Sequence, residues 1–326
     1  MTATPTAHMH NATYRLGHLT PVDEADPDVL AKQELQALRS KGLRTFSLLD
    51  RPLADVIGEC IESTLAGWDR ADIDAVLFVT ESFSQLPIAG IARAETPFGG
   101  MRNALLQMCV GLGIRNARYF AASFGGSSNF LQALFLAKPL VESGGVRNLL
   151  VVCADRQPPR LSRLMADAGA IVGDGVAACV LSADPAPSQA SWKIEHVGIT
   201  PSMNLAQRRA AGLAGLDAYR GTRAAAEEAY RAVGRRPDEF GWLILNNYNP
   251  ASSRAFAALL GFKQERVFVA NVGRTGHIPA CDSLINLRDL TESTPMGPGA
   301  RVLIFVVGPV SFGAISLVRA HAVDPG

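Results

Sequence analysis

An internal repeat constrains this sequence more than any other feature, because two segments far apart in the chain match position for position. The stretch Leu112–Gly125 recurs as Leu260–Gly273 at a constant spacing of 148 residues. A second pair, Asp72–Thr80 and Asp238–Asn246, shares an acidic turn followed by an apolar run. Self-similarity of this kind predicts two halves built from the same supersecondary units.

The apolar runs of the two halves are typical of strands that are buried on both faces. Ala75–Thr80, Asn148–Cys153 and Arg301–Gly308 are nearly continuous in Val, Leu, Ile and Phe. Stretches with helical spacing of apolar residues, such as Leu53–Ala66, lie between them. We therefore predict an α/β fold with two pseudo-duplicated α/β halves, each with a mixed and largely buried sheet.

The junction between the halves is predicted at Asp184–Gln189, a short segment with Pro and Ser. This junction gives an N-terminal half of residues 1–186 and a C-terminal half of residues 187–326. Within the first half, Ser82–Gly100 is rich in Pro, Gly and Ser and is predicted to form a surface loop.

The start of the chain is polar and contains His8 and His10. We predict that it is disordered and that the first strand is Thr13–Leu19. The start lacks the apolar core of a secretory signal, and no apolar run reaches the length of a membrane span. These features predict a cytoplasmic protein that does not bind a membrane.

Charge and cysteine content argue against several further classes. The 31 basic and 30 acidic side chains give a net charge of +1, without a basic stripe interleaved with aromatics, so nucleic acid is not an expected partner. The five cysteines are an odd number, lie far apart and form no CxxC pair. Both a disulfide framework and a zinc site are therefore disfavoured, and we expect no bound metal or cofactor.

A two-glycine turn followed by a serine is the first stretch that points to chemistry. In Arg118–Leu134 an apolar strand leads through Gly125 and Gly126 to Ser127 and a helix. The glycines permit positive φ, which places Ser127 at a helix N-terminus, where negative charge is favoured. A nucleophile that becomes an acyl ester suits this position. A serine that only caps the helix suits it too, and the turn alone leaves both open.

The repeat places a histidine and an aspartate near this serine. Gly273–His277 is the counterpart of the serine turn, and a pseudo-twofold axis would bring the two turns together. Neutral His277 could accept the proton of Ser127, and Asp282 could fix its tautomer. Alternatively, Asp282 caps the helix Ser283–Leu290 and His277 bonds only to backbone. The chain order Ser, His, Asp disfavours an α/β-hydrolase.

With these residues the chain resembles the thiolase-fold ketoacyl-ACP synthase III group. Val172–Leu181 resembles the FGDGAGA strand of that family, and Gly308–Arg319 resembles its GGGFTWGSALVR terminus. The resemblance extends from Gly42 to Ala314. It implies a thiolase-like α/β/α/β/α layering. It also implies a homodimer, in which the strand before the nucleophile pairs with its copy and Ser82–Gly100 reaches the partner.

The resemblance carries two functional roles over to this chain and places two others in doubt. The resemblance places the family's nucleophilic cysteine at Ser127 and its second oxyanion-hole N–H at Gly308. The family's condensing histidine aligns with Asn246, and its asparagine aligns with His277. The GHxxxxD segment, with serine as nucleophile, is similar to a divergent branch in polyketide-antibiotic pathways that moves acyl groups.

The resemblance thus implies an acyltransferase with Ser127, His277 and Asp282 as its triad. The donor would be acyl-ACP or acyl-CoA, and the acceptor a hydroxyl or an amine of a small molecule. Asn246 would orient the acyl carbonyl or the acceptor, or would serve only as a hydrogen-bonded residue at a strand end. The alternatives are a starter-unit ketosynthase that condenses carbon with carbon, and a catalytically silent subunit of a synthase.

Overall fold

A computed structural model describes residues 5–25, 32–82, 97–158, 161–165, 169–183, 191–201 and 214–320. In these ranges the helices are α1 Lys32–Ser40, α2 Leu53–Thr64, α3 Pro97–Gly111, α4 Asn129–Glu142, α5 Ala214–Val233, α6 Pro250–Leu259 and α7 Asp282–Ser293. The strands are β1 His8–Leu16, β2 His18–Pro21, β3 Thr45–Leu48, β4 Ala75–Val79, β5 Arg118–Ala122, β6 Asn148–Asp155, β7 Leu164–Met165, β8 Ala170–Ile171, β9 Gly175–Ser182, β10 Trp192–Pro201, β11 Trp242–Ile244, β12 Val267–Phe268, β13 Arg301–Val307 and β14 Ser311–Arg319.

Ten of these strands form one continuous sheet in the order β12-β11-β13-β14-β10-β1-β9-β6-β4-β5. Its two halves have the same arrangement, since β1-β9-β6-β4-β5 is matched by β10-β14-β13-β11-β12. In each half the three outer strands are parallel and the two inner strands are antiparallel to their neighbours. Strands β1 and β10 join the halves. The predicted duplication of an α/β unit is confirmed.

Strands in the middle of each half contribute alternate side chains to two cores, as expected for a strand covered on both faces. Leu149 and Val151 of β6 belong to a central core, and Leu150 and Val152 belong to an outer core. The central core also contains residues of α4 and α7, whereas α2 lies in one outer core and α5 and α6 lie in the other. The predicted layers of helix, sheet, helix, sheet and helix are therefore present.

The predicted disorder at the start of the chain was wrong for the part that the structure describes. Strand β1 begins at His8, five residues before the predicted start at Thr13, and lies in the middle of the sheet. Ala7 and Met9 are fully buried, and His10 Nε2 lies 2.8 Å from Ser182 Oγ. His8 and His10 are buried as well, so the polar residue types conceal a buried strand, and pairing with β9 and β10 satisfies its backbone.

Two other predictions fall wholly or partly outside the described residues. The junction Asp184–Gln189, with the domain limits at 186 and 187, lies outside them, and so do residues 83–96 of the predicted loop. Residues 97–100 of that loop belong to α3, which begins at Pro97, whereas Ser82 lies in neither a helix nor a strand. Among the helices that the structure describes, none is long and apolar enough to cross a membrane.

Candidate active site

Ser127 follows a strained turn at the end of β5. The angle φ is 68° at Phe124 and 54° at Gly126, whereas Gly125 has a φ of −92°. Positive φ therefore falls on only one of the two glycines and on a phenylalanine, for which this conformation is costly. Gly125 is needed for space instead, because a Cβ at this position would lie 2.6 Å from Asn129 Oδ1.

The turn is tied to the end of β4 by a carboxylate. Glu81 Oε1 accepts hydrogen bonds from the Gly126 N–H and from Asn129 Nδ2, each at 2.7 Å. Asn129 Oδ1 in turn accepts the Gly125 N–H at 2.8 Å. These bonds fix the backbone on both sides of Ser127, whose side chain is buried.

Three side chains from separate parts of the sequence form one hydrogen-bonded chain. Ser127 Oγ lies 2.7 Å from His277 Nε2, and His277 Nδ1 lies 2.6 Å from Asp282 Oδ2. When Nδ1 carries the hydrogen and donates it to Asp282, Nε2 can accept the hydroxyl proton of Ser127. The structure thus brings together the three predicted residues in a geometry suited to activating an alcohol.

His277 is held by backbone from the first half of the chain. Its N–H donates to the Ile171 carbonyl at 2.7 Å, and its carbonyl accepts the Gly173 N–H at 3.0 Å. The preceding Gly276 has a φ of 72°, and a Cβ there would lie 2.9 Å from the Ile171 oxygen. The imidazole is fully buried, so its position relative to Ser127 is fixed by both halves.

Asp282 is surrounded by hydrogen-bond donors. Its Oδ1 accepts the Ile278 N–H at 2.9 Å and Asn247 Nδ2 at 3.2 Å, and its Oδ2 accepts the Asn247 N–H at 2.7 Å besides His277 Nδ1. Asp282 is the first residue of α7, and Cys281 occupies the N-cap position. The alternative role of Asp282 as the helix cap is therefore not observed.

Tyr248 is a neighbour of the nucleophile that sequence reasoning missed. Its hydroxyl lies 3.1 Å from Ser127 Oγ and 2.5 Å from the Val307 carbonyl. Its ring meets the His277 imidazole edge to face, at a centroid distance of 4.7 Å. The one signal available was its place two residues after Asn246, the position aligned with the family's condensing histidine.

The structure differs from the sequence prediction at Gly308 and leaves Asn246 bound to backbone. The Gly308 N–H donates to the Ser311 carbonyl at 2.8 Å, across the turn between β13 and β14, and is not directed to an open oxyanion site. Asn246 Oδ1 accepts the Val307 N–H at 2.9 Å. Because the amide oxygen faces Val307, the Nδ2 donors of Asn246 face the other way.

A second buried carboxylate connects the two loops that carry the triad. Asp155 Oδ1 accepts the Glu81 N–H at 2.8 Å, and Asp155 Oδ2 accepts the Ala280 N–H at 2.7 Å. Glu81 holds the serine turn, and Ala280 lies between His277 and Asp282. Burial raises the pKa of Asp155 to about 6, although both backbone donors oppose the shift.

Asp155→Asn is expected to remove a pH-dependent part of the stability. The pKa of Asp155 is about 6 in the folded chain and about 3.9 in the unfolded chain. Between about pH 3.9 and pH 6, therefore, the carboxyl group is protonated in the folded state and ionised in the unfolded state. The stabilisation is complete below about pH 4 and is lost as pH rises to about 6, by roughly 3 kcal/mol. In urea unfolding, the wild-type advantage over Asp155→Asn should fall by this amount across that range. A difference independent of pH would contradict the assignment.

Among the described residues, no three His, Cys, Asp or Glu side chains cluster in a way that would hold a metal ion. The five cysteines are buried and unbridged. The polar side chains linked to Ser127 by hydrogen bonds are those of His277, Asp282 and Tyr248.

Comparison with known proteins gives the family. The model for 3-oxoacyl-[acyl-carrier-protein (ACP)] synthase III matches residues 125–198, and the model for its C-terminal part matches residues 231–318. The beta-ketoacyl-[acyl-carrier-protein] synthase III of Thermosynechococcus vestitus (strain NIES-2133 / IAM M-273 / BP-1) is 27% identical over 342 aligned positions, which cover 96% of this chain and 92% of the relative.

Solved structures show the same fold at lower identity. ChlB3, described as an acyltransferase, has a TM-score of 0.80 and 19% identity, covering 98% of this chain and 99% of its own. The 3-oxoacyl-[acyl-carrier-protein] synthase III of Aquifex aeolicus VF5 has a TM-score of 0.75 and 17% identity, covering 96% of this chain and 99% of its own. The chain belongs to the ketoacyl-ACP synthase III-like family, whose members are thiolase-fold enzymes of the synthase and transferase type.

Proposed function

We propose that this protein is an acyltransferase of polyketide-antibiotic biosynthesis that works through an acyl ester on Ser127. It would take the acyl group from an acyl carrier protein or coenzyme A thioester and pass it to a hydroxyl or an amine of a small molecule. The observation that carries the proposal is the hydrogen-bonded chain from Ser127 Oγ through His277 to Asp282, with distances of 2.7 and 2.6 Å.

Acylation begins when Ser127 Oγ attacks the thioester carbonyl carbon and its proton passes to His277 Nε2. The carbonyl π electrons move to oxygen, and Asp282 stabilises the imidazolium that forms. The carbon–sulfur bond then breaks as the carbonyl re-forms, and the leaving thiolate takes the proton from His277. The enzyme is left with an oxyester and a neutral imidazole.

Transfer repeats these steps with the acceptor as nucleophile. Neutral His277 accepts the proton of the acceptor hydroxyl or amine while its oxygen or nitrogen bonds to the ester carbon. Collapse of the tetrahedral intermediate returns the proton to Ser127 Oγ and releases the new ester or amide. Holding the acceptor beside the ester favours transfer over the slower reaction with water.

The side chains at the site favour transfer over decarboxylative condensation. In the family, a histidine and an asparagine donate hydrogen bonds to the enolate thioester, and Asn246 and His277 occupy those positions here. His277 bonds to Ser127 and Asp282, so of this pair of positions only Asn246, through its Nδ2, remains free to donate to the enolate. Losing one such donor typically costs about 10²–10³ in rate.

Intact-protein mass spectrometry tests the proposal directly. The enzyme is incubated with acetyl-, butyryl-, octanoyl- and benzoyl-coenzyme A and with the same groups on a carrier protein. We expect one acyl mass to be added. The acylated enzyme is then given a panel of alcohols and amines, or malonyl-carrier protein, and we expect ester or amide products from the first and no β-ketoacyl product from the second.

Two other results would each overturn the proposal. Carbon dioxide and a β-ketoacyl product from malonyl-carrier protein, without product from alcohols or amines, would make the protein a starter-unit ketosynthase. Failure to gain acyl mass from every thioester would indicate a catalytically silent subunit that acts through a partner synthase.

We also propose that the protein is a homodimer that pairs through β5. This strand is at the end of the sheet in the part of the chain that the structure describes, and the side chain of Phe120 is 41% exposed. Phe124 in the following turn is 86% exposed, and Phe135 and Leu136 expose apolar surface on α4. An unpaired edge strand with apolar side chains is a template for a second strand.

Phe120→Lys is expected to convert the dimer into a monomer, because charged residues on an edge strand oppose pairing. Light scattering at micromolar concentration should give twice 34.6 kDa for the wild type and 34.6 kDa for the variant. Val269→Lys is the matched control, since Val269 is exposed after β12 at the opposite end of the sheet. A monomeric wild type would contradict the proposed dimer.

A further inference from the structure

The nascent oxyanion of an acyl-serine reaction requires donors that are already in place. The Ser127 N–H, in the short 3-10 turn that directly precedes α4, is one candidate. The predicted second donor, the Gly308 N–H, already bonds to the Ser311 carbonyl at 2.8 Å. Gly308 has another reason to be glycine, because a Cβ there would lie 2.6 Å from Ser128 Oγ. A second donor must therefore come from another residue.

Tyr248 has a hydroxyl at the required place. It lies 3.1 Å from Ser127 Oγ, and the oxyanion is bonded to the carbon that bonds to this same Oγ. The phenol is held on both sides, by the Val307 carbonyl at 2.5 Å and by the ring contact with His277 at 4.7 Å. The residue is buried, which strengthens a hydrogen bond to a developing charge.

We propose that the Tyr248 hydroxyl is the second oxyanion donor, taking the part that the Gly308 N–H was predicted to play. This inference rests on the proposed acyl-serine chemistry. As the carbonyl π electrons move to oxygen and the Ser127 proton passes to His277, the Tyr248 O–H turns from the Val307 carbonyl to the oxyanion. Tyr248 keeps its proton throughout, so it is a hydrogen-bond donor and not an acid or a base.

Tyr248→Phe isolates this role because it retains the ring against His277 and removes only the hydroxyl. Loss of one oxyanion donor is expected to slow acylation of Ser127 between 100-fold and 1,000-fold. Tyr230→Phe is the matched control, since the Tyr230 hydroxyl also donates to a backbone carbonyl, that of Leu260 at 2.6 Å, and the ring packs against the same core as Tyr248. The control variant should acylate at the wild-type rate.

A serine-reactive fluorophosphonate makes the test independent of the natural substrate. Ser127 Oγ attacks phosphorus, fluoride leaves, and the phosphoryl oxygen takes the place of the oxyanion. Labelling rates of the full-length wild type, Tyr248→Phe and Tyr230→Phe are measured beside acylation by the thioester panel. To exclude a purely structural effect, thioester affinity is compared between Ser127→Ala and the Ser127→Ala/Tyr248→Phe double variant, and it should be equal in both.

Each outcome is informative. Slower fluorophosphonate labelling in Tyr248→Phe supports the proposal even if no thioester acylates the wild type, a result that would overturn only the acyltransferase function. Equal labelling in wild type and Tyr248→Phe would overturn the role of Tyr248. Failure of the wild type to label would overturn both, because Ser127 would then not be an activated nucleophile.

A second variant covers the case in which Tyr248→Phe folds poorly. Incorporation of 3-fluorotyrosine at position 248 retains the hydroxyl and makes the phenol more acidic. Because an ionised phenol cannot donate, the alkaline limb of the labelling profile should move to lower pH. An alkaline limb unchanged by fluorination would contradict donation from Tyr248.

Discussion

Ser127→Ala is expected to abolish the acyl-enzyme and to lower product formation by roughly 10⁶, to the background rate. Alanine lacks the oxygen that bonds to the acyl carbon, and in a comparable triad loss of the nucleophile cost about this factor. The change removes one small buried hydroxyl, whose hydrogen bonds to His277 and Tyr248 are worth about 1 kcal/mol each, so the fold should persist. Intact mass and peptide mapping after incubation with acyl-coenzyme A measure the effect.

Ser128→Ala is the matched control in the same turn. Ser128 Oγ donates to the Gly125 carbonyl at 2.7 Å, and no contact joins it to His277 in the described structure. Ser123 Oγ donates to the Thr80 carbonyl at 2.7 Å, again away from the imidazole. Both hydroxyls lack a base, so Ser128→Ala should retain acylation within a few fold. Acyl label on Ser123 or Ser128 in the Ser127→Ala variant would contradict the assignment.

The cysteines are poor alternatives for the nucleophile. All five thiols are buried, and burial raises the pKa of Cys60 and of Cys109 to about 11. Burial likewise raises the pKa of Cys153, Cys179 and Cys281. Because the thiolate is the reactive form, these side chains should remain inert at neutral pH. Acyl label that depended on a cysteine would therefore require a different conformation of the protein.

Much of the fold could be predicted because it follows from local patterns repeated twice. Buried strands appear in the sequence as continuous apolar runs. The constant spacing between Leu112–Gly125 and Leu260–Gly273 identifies β5 and β12 as equivalent strands of the two halves. The Ser127 turn follows β5 and His277 follows β12. A pseudo-twofold axis between the two halves would bring the loops after these two strands together, so the meeting of Ser127 and His277 could be predicted from the repeat.

Contacts that depend on distant backbone could not be predicted in the same way. Nothing near His10 in the sequence shows that β9 and β10 enclose β1. The aligned position of Gly308 gave no sign that its N–H would close a turn onto Ser311. Asp155 is the last residue of β6, and its link between Glu81 and Ala280 exists only when both loops have folded. The roles of such residues follow from their hydrogen bonds in the folded structure and not from their spacing in the sequence.

His277→Ala is expected to lower both acylation and transfer by about 10⁶, because the imidazole accepts a proton in each step. His196→Ala is a suitable control, since His196 lies on β10 and does not contact the triad in the part of the chain that the structure describes. Wild-type acyl transfer in the His277→Ala variant would contradict the role of His277. Formation of a β-ketoacyl product from malonyl-carrier protein by the same variant would likewise contradict the role of His277 as an acid–base group.

Asp282→Asn tests whether the carboxylate sets the tautomer of His277. Asparagine has one accepting oxygen, whereas Asp282 accepts from Ile278, from His277 and twice from Asn247. If that oxygen keeps the Ile278 N–H, the new amide donors face His277 Nδ1, and the hydrogen of the imidazole moves to Nε2. The imidazole then donates to Ser127 and cannot take its proton.

In a well-studied triad this substitution cost about 10⁴ in kcat, and we expect a similar loss here, smaller than that of His277→Ala. Asp289→Asn is the matched control, because Asp289 is another hydrogen-bonded carboxylate on α7 but binds Tyr14 and Arg274. It should lower stability and leave the acylation rate unchanged. Acylation rates of both variants, measured by the fluorophosphonate and by acyl-coenzyme A, decide between the two roles. Equal rates for Asp282→Asn and Asp289→Asn would mean that Asp282 does not set the tautomer of His277.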